Sequence, residues 1–171
     1  MPADLTLRPA HSKDADYIAA AETVADIARF VMPWPAAEHL QRMTEPDFAY
    51  YVCEDRASGP VGYAILRGIG GPHRSIELMR LAVTERDRGA GSALLSLIAR
   101  EAFDGLGANR LWLDVFPDNA RARHVYRRFG FVEEGTLRES YLWNGAFRST
   151  IVMSMLAREY SGPGPGPPRP D

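Results

Sequence analysis

Six consecutive residues, Arg86-Asp87-Arg88-Gly89-Ala90-Gly91, bring two guanidinium groups and two glycines together in a span of the length of a tight turn. Glycine has no Cβ, so the backbone at Gly89 and Gly91 can come close to a ligand, and free N–H groups there can point at an anion. A Gly-x-Gly pattern alone is equally well a plain connecting loop. The flanking segments give it more meaning. Ile76 to Val83 is rich in branched and apolar residues, without Gly or Pro, and reads as a strand. From Ser92 onward, Leu94, Leu95, Ile98, Ala102 and Leu106 fall on one face at the 3.6-residue period of a helix. A strand that feeds a glycine turn and then opens a helix offers the unpaired N–H groups of the first helical turn to a phosphate.

The composition narrows the classes. The chain has 171 residues, 46% hydrophobic and 10% aromatic, enough for one globular domain with a full core. A net charge of −2 gives no overall pull toward nucleic acid or an anionic membrane. Cys53 is the single cysteine, so no disulfide framework or Cys-x-x-Cys metal site is expected. His11, His39, His73 and His124 are scattered without ligand spacing, and no metal is expected. The start, MPADLTLRPA, lacks an apolar leader, and no run of 18 apolar residues occurs. A cytoplasmic protein without a membrane segment is the expectation.

The rest of the chain follows as positioning elements. Leu5 to Arg8 is a short first strand. Ser12 and Asp14 can cap a helix whose Tyr17, Ala21, Val24 and Ala28 share a face. Pro33-Trp34-Pro35 fixes an extended path, which serves either packing or the wall of a pocket. Ala36 to Met43 is a second, shorter helix. Phe48 to Glu54 and Val61 to Gly68 are strands joined by the turn Ala57-Ser58-Gly59-Pro60, spaced as an antiparallel hairpin. Arg110 to Val115 is a further strand. Asp118-Asn119 starts a helix with the apolar stripe Ala122, Val125, Tyr126, Phe129, closed by Gly130. Phe131 to Arg138 and Arg148 to Met155 form a final strand pair around a loop, Glu139 to Phe147. Residues 1–159 are expected to be one domain, and 160–171 a disordered Pro/Gly-rich tail.

Two blocks in these elements carry a resemblance. Arg86-x-x-Gly89-x-Gly91 between a strand and a helix, and Asn119-x-x-Ala122-x-x-x-Tyr126-x-x-x-Gly130-Phe131 on a later helix, together resemble the GNAT acetyltransferase superfamily. The order of elements from Leu5 to Leu156 is similar as well, and the run of sequence most resembles bacterial acetyltransferases of ribosomal proteins and small amines. Asp87 departs from the pattern, where a third glycine is common. The resemblance implies an α/β fold with a mixed, largely antiparallel seven-stranded sheet, about four flanking helices and a splayed cofactor cleft.

It also implies acetyl-CoA as acetyl donor and an amine acceptor, either a small molecule or a protein N-terminus. No nucleic acid or membrane partner is implied, and a homodimer is one allowed assembly. The diphosphate would meet Arg86, Arg88, Gly89, Ala90, Gly91 and Ser92. The pantetheine amides would pair with backbone groups of Leu81, Ala82 and Val83, and with Asn119, which can equally be a helix cap. Tyr126 would protonate the departing thiolate; on spacing alone it is a core residue. An alkylammonium must lose a proton before it attacks, and Glu77 is the candidate base. Strand alternation would put residues 77, 79, 81 and 83 on one side. The other reading of Glu77 is a strand-end carboxylate paired with Arg80 or Arg110, and a water chain can replace a single base. Trp34, Trp143 and Phe147 would line the acceptor side. Cys53 lies far from both blocks, so direct attack in a ternary complex is expected. The rival readings are a non-catalytic acyl-CoA-binding sensor and, more weakly, a nucleotide-binding module, for which the Gly-x-x-x-x-Gly-Lys-Ser/Thr pattern is absent.

Overall fold

A computed structural model describes residues 5–84 and 89–162. The strands are β1 (Leu5–Pro9), β2 (Phe48–Asp55), β3 (Gly59–Arg67), β4 (Ser75–Val83), β5 (Arg110–Val115), β6 (Val132–Trp143) and β7 (Ala146–Leu156). The helices are α1 (Ala15–Glu22), α2 (Ala25–Ala28), α3 (Ala36–Met43), α4 (Ala90–Arg100) and α5 (Ala120–Phe129). Among the described residues, five α-helices thus stand where about four are expected. The difference is the first helix, which breaks at Thr23 into α1 and α2, so that Val24 is exposed and does not share the buried face of Ile18 and Ala21. The last turn of α4 widens into a π-helix at Glu101–Gly105.

All seven strands join one sheet in the order β1-β2-β3-β4-β5-β7-β6. Every pairing is antiparallel except β4 with β5, which is parallel and covers only Ser75–Glu77 against Arg110–Trp112. Beyond Glu77 the two strands part. β4 stays paired with β3 on its other side as far as Val83, and β5 stays paired with β7 as far as Val115. The sheet is therefore split along its middle, and the edge of β4 from Leu78 to Val83 faces the gap.

One face of the sheet buries Ala64, Leu66, Ile76, Leu78, Leu111 and Leu113 against α4 and the stripe of α5. The other buries Tyr50, Tyr63, Ile65 and Ala82 against Ile18 and Ala21 of α1. The side chains on β4 change phase between these faces. Leu66 of β3 lies opposite Leu78, but Ile65 lies opposite Arg80, so Met79 is an extra residue and forms a β-bulge.

The turn expected at 139–147 is mostly strand. β6 and β7 run on to a two-residue turn at Asn144-Gly145, both with positive φ (50° and 79°), which suits the right-handed twist of a hairpin. At the C-terminal end, the Tyr160 ring stacks on Phe103 at 4.8 Å, so the packed chain reaches Tyr160. The rest of the Pro/Gly-rich tail, residues 163–171, lies outside the described residues. No helix among the described residues is long and apolar enough to cross a membrane.

Candidate active site

The gap between β4 and β5 opens into a cavity of about 690 Å³, within the range of small-molecule sites. Its lining comes from both faces of the sheet. At one end lie Gly89, Ala90, Gly91 and Ser92 from the start of α4, and Asn119 to Ala122 from the start of α5. Along the middle runs the open edge of β4, Leu78 to Val83. At the other end are Asp114, Tyr141 and Thr150, walled by Asp26 to Met32 from α2 and the segment after it.

The α4 end has the form of an anion cradle. Gly89 caps the helix with φ of +85°, a conformation costly for residues with a Cβ, and a Cβ built there or at Gly91 would meet open space. The backbone is thus left bare toward the cavity. Arg86 and Arg88 lie outside the described residues. Asn119 accepts a hydrogen bond from the Ala122 amide (3.3 Å), so it does cap α5, and it also lines the cavity. The helix cap and a place on the cavity wall coincide in one side chain. Leu81, Ala82 and Val83 each have β3 on one side and the gap on the other, leaving backbone groups free to pair with an extended ligand. These features fit the diphosphate and amide arm of acetyl-CoA.

Tyr126 lines the cavity while its ring packs near Phe131 (5.7 Å). Burial, reinforced by the negative charge of Asp114, pushes its phenol up to about 12. A phenol so held is protonated at neutral pH and has a proton to give.

Glu77 is placed differently from the alternation of a regular strand. The bulge at Met79 puts Glu77 on the α1 side with Arg80 and Ala82, not in line with Leu81 and Val83. Its partner is Arg67 of β3, through Nε (2.7 Å) and Nη2 (2.5 Å) to Oε2, and neither Arg80 nor Arg110. Glu77 is buried and is not among the residues lining the cavity. Desolvation raises its pKa against the pull of Arg67.

Asp114, two residues beyond the last β4–β5 pair, does line the cavity, as do the carboxylates of Asp26 and Asp118. Burial raises the pKa of Asp114 above the ordinary carboxylate range, and Thr150, whose hydroxyl lies 3.0 Å from Ser140 Oγ, lines the same end of the cavity. The sequence signal was present but weak: in Arg110-Leu111-Trp112-Leu113-Asp114-Val115 the aspartate falls on the phase opposite to the leucines.

A second charged group was not anticipated at all. Glu22 is fully buried on α1 and takes hydrogen bonds from Arg80, from the Tyr63 hydroxyl (2.9 Å) and from the Trp34 amide (2.8 Å), with His39 Nε2 at 3.3 Å. Arg80 stacks on the Trp34 ring at 3.6 Å and donates to the Met32 carbonyl (3.0 Å). The Pro33-Trp34-Pro35 segment is therefore an anchor beneath the cavity wall. Trp34, Trp143 and Phe147 do not line the cavity: Trp143 packs on Phe116 (5.3 Å), and Phe147 is 66% exposed near the hairpin tip.

Cys53 is buried, and burial pushes its thiol up to about 11, so it holds no thiolate for an acyl-enzyme route. Among the described residues no three metal-ligating side chains cluster. A sheet split at one parallel pair, with an anion cradle at the helix after β4, is the form that the resemblance to acyl-CoA-dependent transferases implies.

Comparison with known proteins agrees. Residues 18–131 match the model of the acetyltransferase (GNAT) family, and the chain belongs to that family. It is an acetyl-CoA-dependent N-acetyltransferase. Among its relatives, spermidine N(1)-acetyltransferase of Vibrio cholerae is 31% identical over 111 residues, 64% of each chain. The enzyme of the same name from Escherichia coli K12 is 26% identical over 165 residues, 90% of this chain and 87% of that one. In three dimensions, the spermidine N-acetyltransferase of V. cholerae in complex with CoA and spermine superposes with a TM-score of 0.80, at 25% identity, covering 91% of this chain and 96% of that one.

Proposed function

We propose that the chain acetylates a primary amine of a small, flexible polyamine-type acceptor by direct attack within a ternary complex. The observation that carries this reading is the cavity itself, which joins the α4 cradle to the Asp114 end across the open edge of β4. Two substrates entering from opposite ends meet at that edge with no need for a covalent enzyme intermediate. Gly89 to Ser92, Leu81 to Val83 and Asn119 would hold the donor, with Arg86 and Arg88 as counter-charge to its diphosphate. Tyr126 is the proton donor to sulfur. Glu77, paired with Arg67 outside the cavity, ties β4 to β3 behind the acceptor end. The spermidine enzymes among the relatives support the acceptor class. A cytoplasmic setting, where acetyl-CoA and polyamines occur together, fits this chemistry.

The test is CoA release from acetyl-CoA with spermidine, free amino acids and an N-terminal peptide as parallel acceptors. Spermidine should turn over fastest. CoA binding by calorimetry without transfer to any amine would overturn the reading and favour an acyl-CoA sensor. A preference for the peptide would overturn only the acceptor class.

A further inference from the structure

We propose that Arg80 is a positioning residue: through Trp34 and the Met32 carbonyl it fixes the stretch of cavity wall against which the acceptor's carbon chain lies. The inference rests on the amine-acetylation reading above. It begins with the bulge in β4. Ile76 and Leu78 belong to the core on the α4 side of the sheet, and in a regular strand position 80 would follow them. The extra residue at Met79 shifts the phase, so Arg80 lies opposite Ile65 on the α1 side. A guanidinium only 7% exposed is thereby brought to the cavity wall.

Three contacts hold it there. Glu22 of α1 accepts from one nitrogen, the Met32 carbonyl accepts from the other (3.0 Å), and the guanidinium carbon lies 3.6 Å from the centre of the Trp34 ring. Glu22 also accepts from the Trp34 amide (2.8 Å). Beyond its turn onto α2, the stretch from Phe30 to Trp34 is tied to other elements by two hydrogen bonds among the described residues. Both end on the Glu22–Arg80 pair. A planar fork can donate in two directions while its face stacks on a ring, and an ammonium group cannot.

What this stretch turns toward the cavity is apolar. Ile27, Phe30, Val31 and Met32 line it, and Met32 keeps 42% of its surface exposed. An acceptor built of methylene segments between charges would cover that surface, and the burial favours binding while the wall is already in place. A loosened wall weakens the hold on the acceptor without moving the reacting atoms, which is a KM effect and not a kcat effect.

The experiment compares wild type with Arg80→Lys, Trp34→Leu and Trp34→Phe. Arg80→Lys keeps a counter-charge for Glu22 but loses the stack and the second donor. Its KM for spermidine should rise about 10-fold, with kcat within about twofold and CoA affinity by calorimetry unchanged. Trp34→Leu leaves the Glu22–Arg80 pair in place and should move KM the same way, and Trp34→Phe should restore part of it. Hydrogen exchange at the amides from Phe30 to Trp34 should quicken in the Lys and Leu variants while β4 and β5 keep their protection. If Arg80→Lys does not fold, the two Trp34 variants decide the matter alone. A wild-type spermidine KM in Trp34→Leu would overturn the proposal, as would a fall in kcat or in CoA affinity with KM unchanged. A wild type that binds CoA yet acetylates no amine would overturn the transfer reading itself, and the exchange measurement, which needs no turnover, tells the two failures apart.

Discussion

Glu22 and Asp114 face the same side of one sheet, and the fold treats them in opposite ways. Glu22 is buried on α1 and accepts from a guanidinium, a phenol and a backbone amide, with an imidazole nitrogen 3.3 Å away. Burial alone would push its pKa up, but His39, Arg80 and the Trp34 amide more than offset that and hold it below the usual range. Asp114 is given a cavity, and burial raises its pKa. A buried carboxylate surrounded by donors is architecture, fixing the β4 bulge to the wall of the cavity. One left short of donors keeps an appetite for a proton.

The contrast can be broken from the structural side first, where the largest effect is expected. Glu22→Gln leaves the Arg80 charge buried without a counter-ion and should cost about 3–5 kcal/mol in urea unfolding. In wild type the Glu22 contribution is complete above its unfolded pKa, about 4.3, and is lost as pH falls through the lower folded value. Next comes Tyr126→Phe, on the chemical side. The ring and its packing remain, so Tm should hardly move while kcat drops about 100-fold. A Phe variant of full activity would return Tyr126 to the core.

Asn119 stands between the two cases, serving both a helix end and the cavity. Asn119→Ala should lose about 1 kcal/mol of stability, with weaker CoA binding by calorimetry. Loss of stability with unchanged affinity would make it a cap and nothing more. The smallest effect sharpens the contrast from the other direction. The folded pKa of Asp114 lies above its unfolded value, so the ionised form is held at a cost that is absent below about pH 4 and grows as pH rises through the folded pKa. Asp114→Asn should therefore raise Tm slightly at neutral pH and leave it unchanged near pH 3. Opposite signs for Glu22 and Asp114 on neutral-pH melting curves are the signature to look for.

Much of the frame was legible in the residues. The β5 boundaries, the start of the last helix at Asn119 and the glycine entry to α4 each follow from local preferences. The unread features depend on contacts between distant segments. A glutamate at position 22 looks like a solvent-side residue on a short helix until Arg80, 58 positions later, is brought against it. The bulge at Met79 has no glycine to announce it, and it invalidates the even count that would align Glu77 with Val83. The Asn144-Gly145 turn, by contrast, carries a strong local signal for a tight hairpin.

The place of β7 has a consequence for the order in which the enzyme comes into being. Among the described residues it is the last strand to be synthesised, yet it lies between β5 and β6 and is the strand that β6 pairs with in the sheet. As the chain leaves the ribosome, β1 to β4 can close through antiparallel neighbours already made. β5 has only its three-residue contact with β4 to lean on, and β6 must wait with both edges open. Thr150 lies on β7, while Tyr141 and Asp114 take their places only once β7 pairs with β6 and β5. A growing chain thus has the α4 cradle and the open edge of β4 well before it has the Tyr141 and Thr150 end of the cavity, and a product that stops short of Ala146 has a frame with half a cavity.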